Sequence, residues 1–357
     1  MAFSWSACGS PLPNDARIDS PVETAPLGES LPAPLYSIEA VPQEHRFGVG
    51  NDVYESYGEL KVWSGELEGK SDIVPWSGSW LPAKSDWLFS GPQSPLSIWD
   101  LWMVRMNPSS SRSQMSATAW ERADWTGNPG ALSWEGSCDA WAIASLYESE
   151  PTKRLQMDSG LSFSVGAQKA ILVKDWELTE GKRIFGTPYR GGREGVWGDP
   201  NPASLHRFLL SEMMDQGRPV ILDKDPGTPV WNTPIFQAEL ALEDDPNNPH
   251  VMHVHAWLKG VDPLFGDPNE VGAHISVIEL RYRLEGQRGE DGSLQVMAGF
   301  WETDRALGID SVEFHPDFLV GLPPKWEVVN HSSRNPGIQP AAVEALRLKA
   351  QLSVRSP

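Results

Sequence analysis

The chain is poor in positive charge, in cysteine and in long apolar runs, and each shortage excludes a class of function. Twenty-nine Lys and Arg face 48 Asp and Glu, a formal net charge of -19. Binding a phosphate backbone needs clustered cations, which are absent here, so nucleic acid is excluded as a partner. No stretch approaches the roughly 20 apolar residues that cross a bilayer. The opening Met1-Ala-Phe-Ser-Trp-Ser-Ala-Cys-Gly-Ser10 has neither the basic flank nor the apolar run of a secretory leader, so a soluble chain without membrane insertion is expected. Only Cys8 and Cys138 occur, too few for a disulfide framework. A single bridge between them is the less favoured reading, and a free Cys138 the favoured one. No Walker loop or Gly-x-Gly-x-x-Gly turn sits between a strand and a helix, so nucleotide binding has no support. His250, His253 and His255 follow Asp244 and Asp245, but no third ligand with firm spacing completes a zinc site, so no metal and no organic cofactor are expected.

Aromatic residues and proline are abundant instead, with 17 Trp and 31 Pro. Such a mix implies an irregular, loop-rich fold with many buried rings. Residues 1–45 are rich in Pro, Ser and Asp without an apolar period and read as an extended or disordered arm. Residues 46–325 read as one domain, and 326–357 as a tail with a short helix over Pro340–Leu352. Within the domain, Trp76-Ser-Gly-Ser-Trp80, Ser85-Asp-Trp-Leu-Phe89 and Ser97-Ile-Trp-Asp-Leu-Trp102 read as loops and short helices pinned by aromatics. A strand is predicted at Leu161–Val165, with a short helix following at Ala167–Val173. A helix starting at Pro202 carries Leu205, Leu209, Leu210 and Met213 at helical spacing as far as Gly217. Strands are predicted at Arg218–Asp223, Val251–Val261, His274–Leu284 and Leu294–Trp301, the last after the turn signal Glu290-Asp-Gly292. Helices first and mostly antiparallel strands afterwards give an α+β class.

The stretch richest in chemistry is Trp134-Glu-Gly-Ser-Cys138-Asp-Ala-Trp141. It places Cys138 after a Gly-Ser pair, at the start of an Ala-rich helix. The unpaired N–H groups and positive dipole end of a helix start favour a thiolate, the form that attacks carbonyl carbon. An inert core cysteine is the competing reading. A nucleophilic cysteine needs a base and a group to orient it. His206, with Asp223 at the end of the following strand, is one candidate pair. His253, alternating with His255 on a later strand, is the alternative base, while His274 and His315 look structural.

Several stretches together resemble the transglutaminase elicitor family, cysteine-dependent transglutaminases first known as cell-wall proteins recognised by plants. Val230-Trp-Asn-Thr-Pro-Ile235 is similar to that family's elicitor core, Val-Trp-Asn-Gln-Pro-Val, departing at Thr233 and Ile235. Trp134-x-Gly-x-Cys138-x-x-Trp141-Ala-x-Ala-Ser145 is similar to its nucleophile segment. Asp199-Pro-Asn-Pro-Ala-Ser-Leu-His206 resembles its Asp-x-Asn-Pro-Gly-x-Phe-His stretch, and Val220-Ile-Leu-Asp223 its strand ending in Asp. His315-Pro-Asp-Phe-Leu319 resembles its His-Pro-Asp-Phe-Leu-Trp, with Val320 in place of the Trp, and Trp76-Ser-Gly-Ser-Trp80 its Trp-Pro-Gly-Ser-Tyr-Trp. Ala298-Gly-Phe-Trp301 departs from its Gly-Gly-Glu-Trp.

The resemblance implies a papain-like cysteine-peptidase/transglutaminase core behind an irregular Trp-rich N-terminal segment. It also implies a Cys138, His206, Asp223 triad; Asp225 is an alternative to Asp223, and papain-like topology favours His253. The implied reaction is protein-glutamine γ-glutamyl transfer through a thioester. Trp231 and Pro234 would shape the groove for the glutamine donor, with lysine or a small amine as acceptor, in a secreted or cell-envelope protein. A cysteine peptidase or peptidoglycan amidase, including a secreted toxin, shares the core chemistry. A non-catalytic elicitor-like binding protein is the rival from another class.

Overall fold

A computed structural model describes residues 60–106, 116–158, 160–186, 200–224, 229–302, 316–324 and 329–355. The strands are, in chain order, β1 (Lys61–Val62), β2 (Gly65–Lys70), β3 (Leu155–Gln156), β4 (Ser162–Phe163), β5 (Leu178–Thr179), β6 (Arg183–Gly186), β7 (Val220–Asp223), β8 (Asn232–Asp244), β9 (Val251–Asp262), β10 (His274–Arg288), β11 (Leu294–Trp301), β12 (Phe318–Gly321) and β13 (His331–Ser332). The helices are α1 (Pro95–Met106), α2 (Ala117–Gly127), α3 (Cys138–Tyr147), α4 (Val165–Asp175), α5 (Pro202–Leu209) and α6 (Pro340–Arg355). The main sheet runs β1-β11-β10-β9-β8-β7-β12-β6, with β2 also paired to β8. All of its pairings are antiparallel.

Local chemistry accounts for the element boundaries. The Asn201 side chain caps α5 by accepting from the Ala203 N–H at 2.9 Å, with Pro202 in the first turn, where its missing N–H costs nothing. A π-helical turn, Leu210–Asp215, continues α5. Ser164 caps α4 in the same way, accepting from Ala167 at 3.1 Å, so the segment from Val165 is helical and the predicted strand shrinks to β4. Asp245 accepts from the N–H groups of Asn247 and Asn248, which turns β8 into β9. Gly292, at φ +79°, makes the tight turn between β10 and β11 that Glu290-Asp-Gly292 signals.

The longest departure from the sequence reading is β8, a 13-residue strand in the middle of the sheet where only a groove-forming motif was expected. It contains Pro234, and proline is disfavoured in a central strand because it lacks a donor. The structure accommodates it where β8 has one neighbour: Pro234 faces Ile221 of β7, and β9 joins only from Ile235 onward.

The sheet separates two apolar cores. On one face, α1, α3, α4 and α6 pack with Ile221, Phe236, Val261, Phe318 and Val320. On the other, Leu205, Phe208 and Leu209 of α5 pack on Val220, Leu222, Ile235, Val254 and Tyr282. Successive residues of β7 thus point to opposite cores, as strand alternation requires. The C-terminal helix α6 belongs to the first face, where Val343 and Leu346 are buried. Arg347 of α6 joins Glu148 at 2.5 Å and Asp175 at 2.7 Å, closing the end of the helical layer.

Candidate active site

Helix α3 is the axis of the helical layer. Its Ala140, Ala142 and Ala144 are fully buried, small enough to let α3 lie close to α4 and β8. Alanine also has the best helix propensity, so packing and local preference agree. The helix begins at Cys138, and its N-cap residue, Ser137, makes no side-chain capping bond. The Ser137 N–H instead donates to the Trp80 carbonyl at 2.6 Å, and the Ala83 N–H donates to Glu135 O at 2.7 Å. The 80–83 segment therefore runs alongside the turn leading into α3. Gly136 is required there: a Cβ would meet Trp80 Cδ1 at 2.6 Å and the Trp80 carbonyl oxygen at 2.8 Å.

Cys138 is fully buried and forms a small apolar cluster with Trp80 and Trp231. The Asn232 side-chain amide donates to its Sγ at 3.1 Å, and the Val230 carbonyl oxygen lies 3.7 Å from Sγ. Asp223 pairs with Asn232 across the β7–β8 ladder and accepts the Trp231 N–H at 2.7 Å. The carboxylate thus fixes the turn that carries both Trp231 and Asn232. Trp80, Trp231 and Phe265 form an aromatic triangle, with ring centroids 4.9–5.9 Å apart in edge-on or tilted contacts. Beside Cys138, burial pushes the Asp139 carboxyl above its ordinary range, against the opposing pull of Lys182 at 3.9 Å.

Two expectations are corrected. Cys138 is disulfide-bonded rather than a free thiol, and the only other cysteine in the sequence, Cys8, lies outside the described residues. The second correction concerns the base. His206 lies on α5, in the core on the opposite side of the sheet from Cys138. Its Nδ1 meets the Tyr282 hydroxyl at 2.7 Å, and its Nε2 is buried without a partner. Burial lowers its pKa to about 3. Asp223 points to the Cys138 side and does not orient His206.

The alternative base fares no better. His253 sits near the far end of β9, between Asp245 at 3.0 Å and Glu302. His255 pairs with Glu279 and packs at a tilt against the Trp257 ring. Among the described residues no histidine hydrogen-bonds Cys138, and no group of His, Cys, Asp and Glu is arranged to hold a metal. Asp199, Asp225 and His315 lie outside the described residues. Of the two groove candidates, Trp231 reaches Cys138, whereas Pro234 is buried in the sheet against Ile221. Asn232 was missed although the Val230–Ile235 motif contains it, because motif reading assigned the groove to the bulky neighbours.

The fold as a whole has a solved counterpart. The chain is similar in structure to the GP42 transglutaminase from Phytophthora sojae, with a TM-score of 0.59 over 84% of this chain and 96% of that chain. The fold is transglutaminase-like. At 17% sequence identity the likeness is one of fold, and the site rests on its own geometry. No family model matches the chain, and no curated protein matches it. No described helix is long and apolar enough to cross a membrane.

Proposed function

We propose that this protein is a cysteine acyltransferase of the transglutaminase type, latent while Cys138 is held in a disulfide and active once a thiol reductant has cleaved that bond by thiol–disulfide exchange. The observation that carries the reading is the Cys138 Sγ at the start of α3, 3.1 Å from the Asn232 amide and walled by Trp80 and Trp231, within a transglutaminase-like fold. Reduction leaves a sulfur that the helix N-terminus and a charge-assisted hydrogen bond hold as thiolate. The thiolate attacks the side-chain carbonyl carbon of a protein glutamine, and the C–N bond breaks as the departing nitrogen takes a proton from solvent and leaves as ammonia. A lysine or small amine then takes the acyl group, giving an isopeptide cross-link, while water gives deamidation. The buried aromatic wall disfavours water and so favours the amine. A papain-like relationship of the core belongs to this same reading, as does an exported location, because disulfides persist in oxidising compartments.

The oxidised sulfur and the lack of a described histidine beside it favour a second reading, a binding protein without catalysis. One experiment separates the readings. Reduced and oxidised wild type and Cys138→Ala are incubated with a fluorescent primary amine and a glutamine-bearing protein, and amine incorporation and ammonia release are followed. Transfer only in the reduced wild type supports the proposal. Peptide-bond cleavage without amine incorporation moves the assignment to a cysteine peptidase or amidase, and inertness of a fully reduced protein supports the binding module.

A further inference from the structure

Helix α3 begins at Cys138 and ends at Tyr147, and its two ends meet different surroundings. At about 1.5 Å of rise per residue they stand roughly 14 Å apart. At the C-terminal end, the segment 147–153, α4 and α6 surround a cavity of about 340 Å³. That volume lies within the range of roughly 300–1,000 Å³ typical of small-molecule sites. The cavity shares no lining residue with the cluster around Cys138. Its walls include Leu172 of α4 and Leu346 of α6, both part of the core of the helical layer. Such walls hold the apolar body of a ligand, and a few polar groups among them decide its chemistry.

The polar group that matters most is Gln168 of α4, a lining residue only 3% exposed. Its Nε2 faces three carbonyl oxygens, those of Lys153 at 2.8 Å, Ser164 at 3.3 Å and Phe163 at 3.4 Å. The amide orientation is thereby set with its nitrogen toward backbone, and Oε1, on the other side of the amide, accepts from none of the described residues. Glu150 repeats the pattern. Its Oε1 accepts from Lys169 at 2.7 Å and from the Gly272 N–H at 2.8 Å, while its Oε2 accepts from none of the described residues. The cations of the lining do not offset these acceptors. Arg347 turns its Nε and Nη2 to Glu148, Nη2 also to Asp175, and Nη1 to Glu344, and Lys153 is exposed to solvent. The end of α3 itself adds the negative pole of a helix dipole, which favours positive charge.

We infer that this cavity is a second binding site, separate from Cys138, for a small primary ammonium ion carried on an apolar body. The ammonium donates to Gln168 Oε1 and Glu150 Oε2, and the hydrocarbon lies against Leu172 and Leu346. An ammonium has three donors and no acceptor, which matches two acceptors left unpaired. A neutral alcohol satisfies one of them and leaves the carboxylate charge unmatched, and an anion meets a guanidinium whose donors already serve three carboxylates. The site stands independently of the acyl-transfer reading.

The test uses the full chain with its disulfide intact, so that Cys138 cannot consume an amine. Calorimetric titration at neutral pH compares three probes that share a phenyl ring on a short chain: phenethylamine, phenethyl alcohol and hydrocinnamate. The amine should bind at least roughly tenfold more tightly than the alcohol or the acid, the equivalent of one hydrogen bond to a charged group. Two variants place the site. Ala350→Phe fills the cavity from α6 and should weaken the amine by roughly tenfold or more. Thr152→Arg puts a guanidinium on an exposed residue of the lining, where the fold tolerates it. It should weaken the amine by roughly threefold or more through repulsion and leave the alcohol unchanged. Should Ala350→Phe fail to fold, Thr152→Arg carries the test alone. Equal binding of the three probes, or tighter binding of the acid, refutes the ammonium assignment. Amine binding unchanged in Thr152→Arg places the amine elsewhere and overturns the site, as does the absence of a binding heat from every probe. None of these outcomes bears on acyl transfer at Cys138.

Discussion

Replacing His206 by glutamine probes a residue that sequence reading places in the catalytic centre and the structure places in the opposite core. The ring is fully buried, its Nδ1 paired with Tyr282, and burial holds its pKa at about 3 against an ordinary 6.5. In the unfolded chain the imidazole takes up a proton below about pH 6.5, while in the folded protein it stays neutral until about pH 3. Its contribution is therefore fully present above pH 6.5 and is lost as pH falls toward 3. At about 1.4 kcal/mol per pH unit, moving from about pH 7.5 to about pH 4.5 removes roughly 2.7 kcal/mol through this residue alone. That is a large share of a typical domain stability of roughly 5–15 kcal/mol. Urea unfolding followed by tryptophan fluorescence at both pH values, on wild type and His206→Gln with the disulfide intact, measures the effect. Other titrating groups cancel in the difference between the two proteins, so the variant should lose roughly 2–3 kcal/mol less than wild type on acidification. Equal losses would refute the buried neutral state. The same variant, once reduced, should retain acyl transfer at neutral pH, and abolition of activity in a folded His206→Gln would restore His206 to the site.

Removing the amide beside the sulfur in Asn232→Ala should make the reduced Cys138 thiol less acidic. The midpoint of its pH-dependent alkylation by iodoacetamide should rise by roughly one to two units, the equivalent of one hydrogen bond to a charged group, and an unmoved midpoint would dismiss the 3.1 Å contact as incidental. Arg347→Met leaves the fully buried Asp175 and the nearly buried Glu148 without their shared cation, at a cost of roughly 3 kcal/mol or more in unfolding free energy. A variant as stable as wild type in the same urea assay would show that α6 is held by its apolar face alone.

Several elements were legible because their local and tertiary demands agree. The Ala-rich run predicts α3 and its start at Cys138, Asn201-Pro202 predicts the start of α5, and Glu290-Asp-Gly292 predicts the turn before β11. Where local signals conflicted, the reading stopped short. Pro234 argues against a strand, so β8 and Asn232 on it went unseen, although the sheet admits the proline where β9 has not yet joined. The helical pattern from Ala117 to Gly127 was likewise passed over, with Ala117 its one buried apolar residue and most of the helix turned away from the core.

What the sequence by itself determined is the set of chemically able residues and most of the helices and strands that carry them. Which of those residues meet was decided by the tertiary structure alone. His206 and Asp223 stand 17 positions apart and look like partners, yet α5 packs on the face built by Val220 and Leu222 while Asp223, one residue further along β7, points to the other. In a strand, one step in sequence is a change of side, and no spacing rule reveals which side a preceding helix will cover. The site at Cys138 arises because β8 brings Asn232 back beside Asp223 and the Trp76–Leu81 segment is clamped across the start of α3, through contacts such as Asn232–Cys138 and His274–Ser77, 94 and 197 positions apart, that only the packed chain creates.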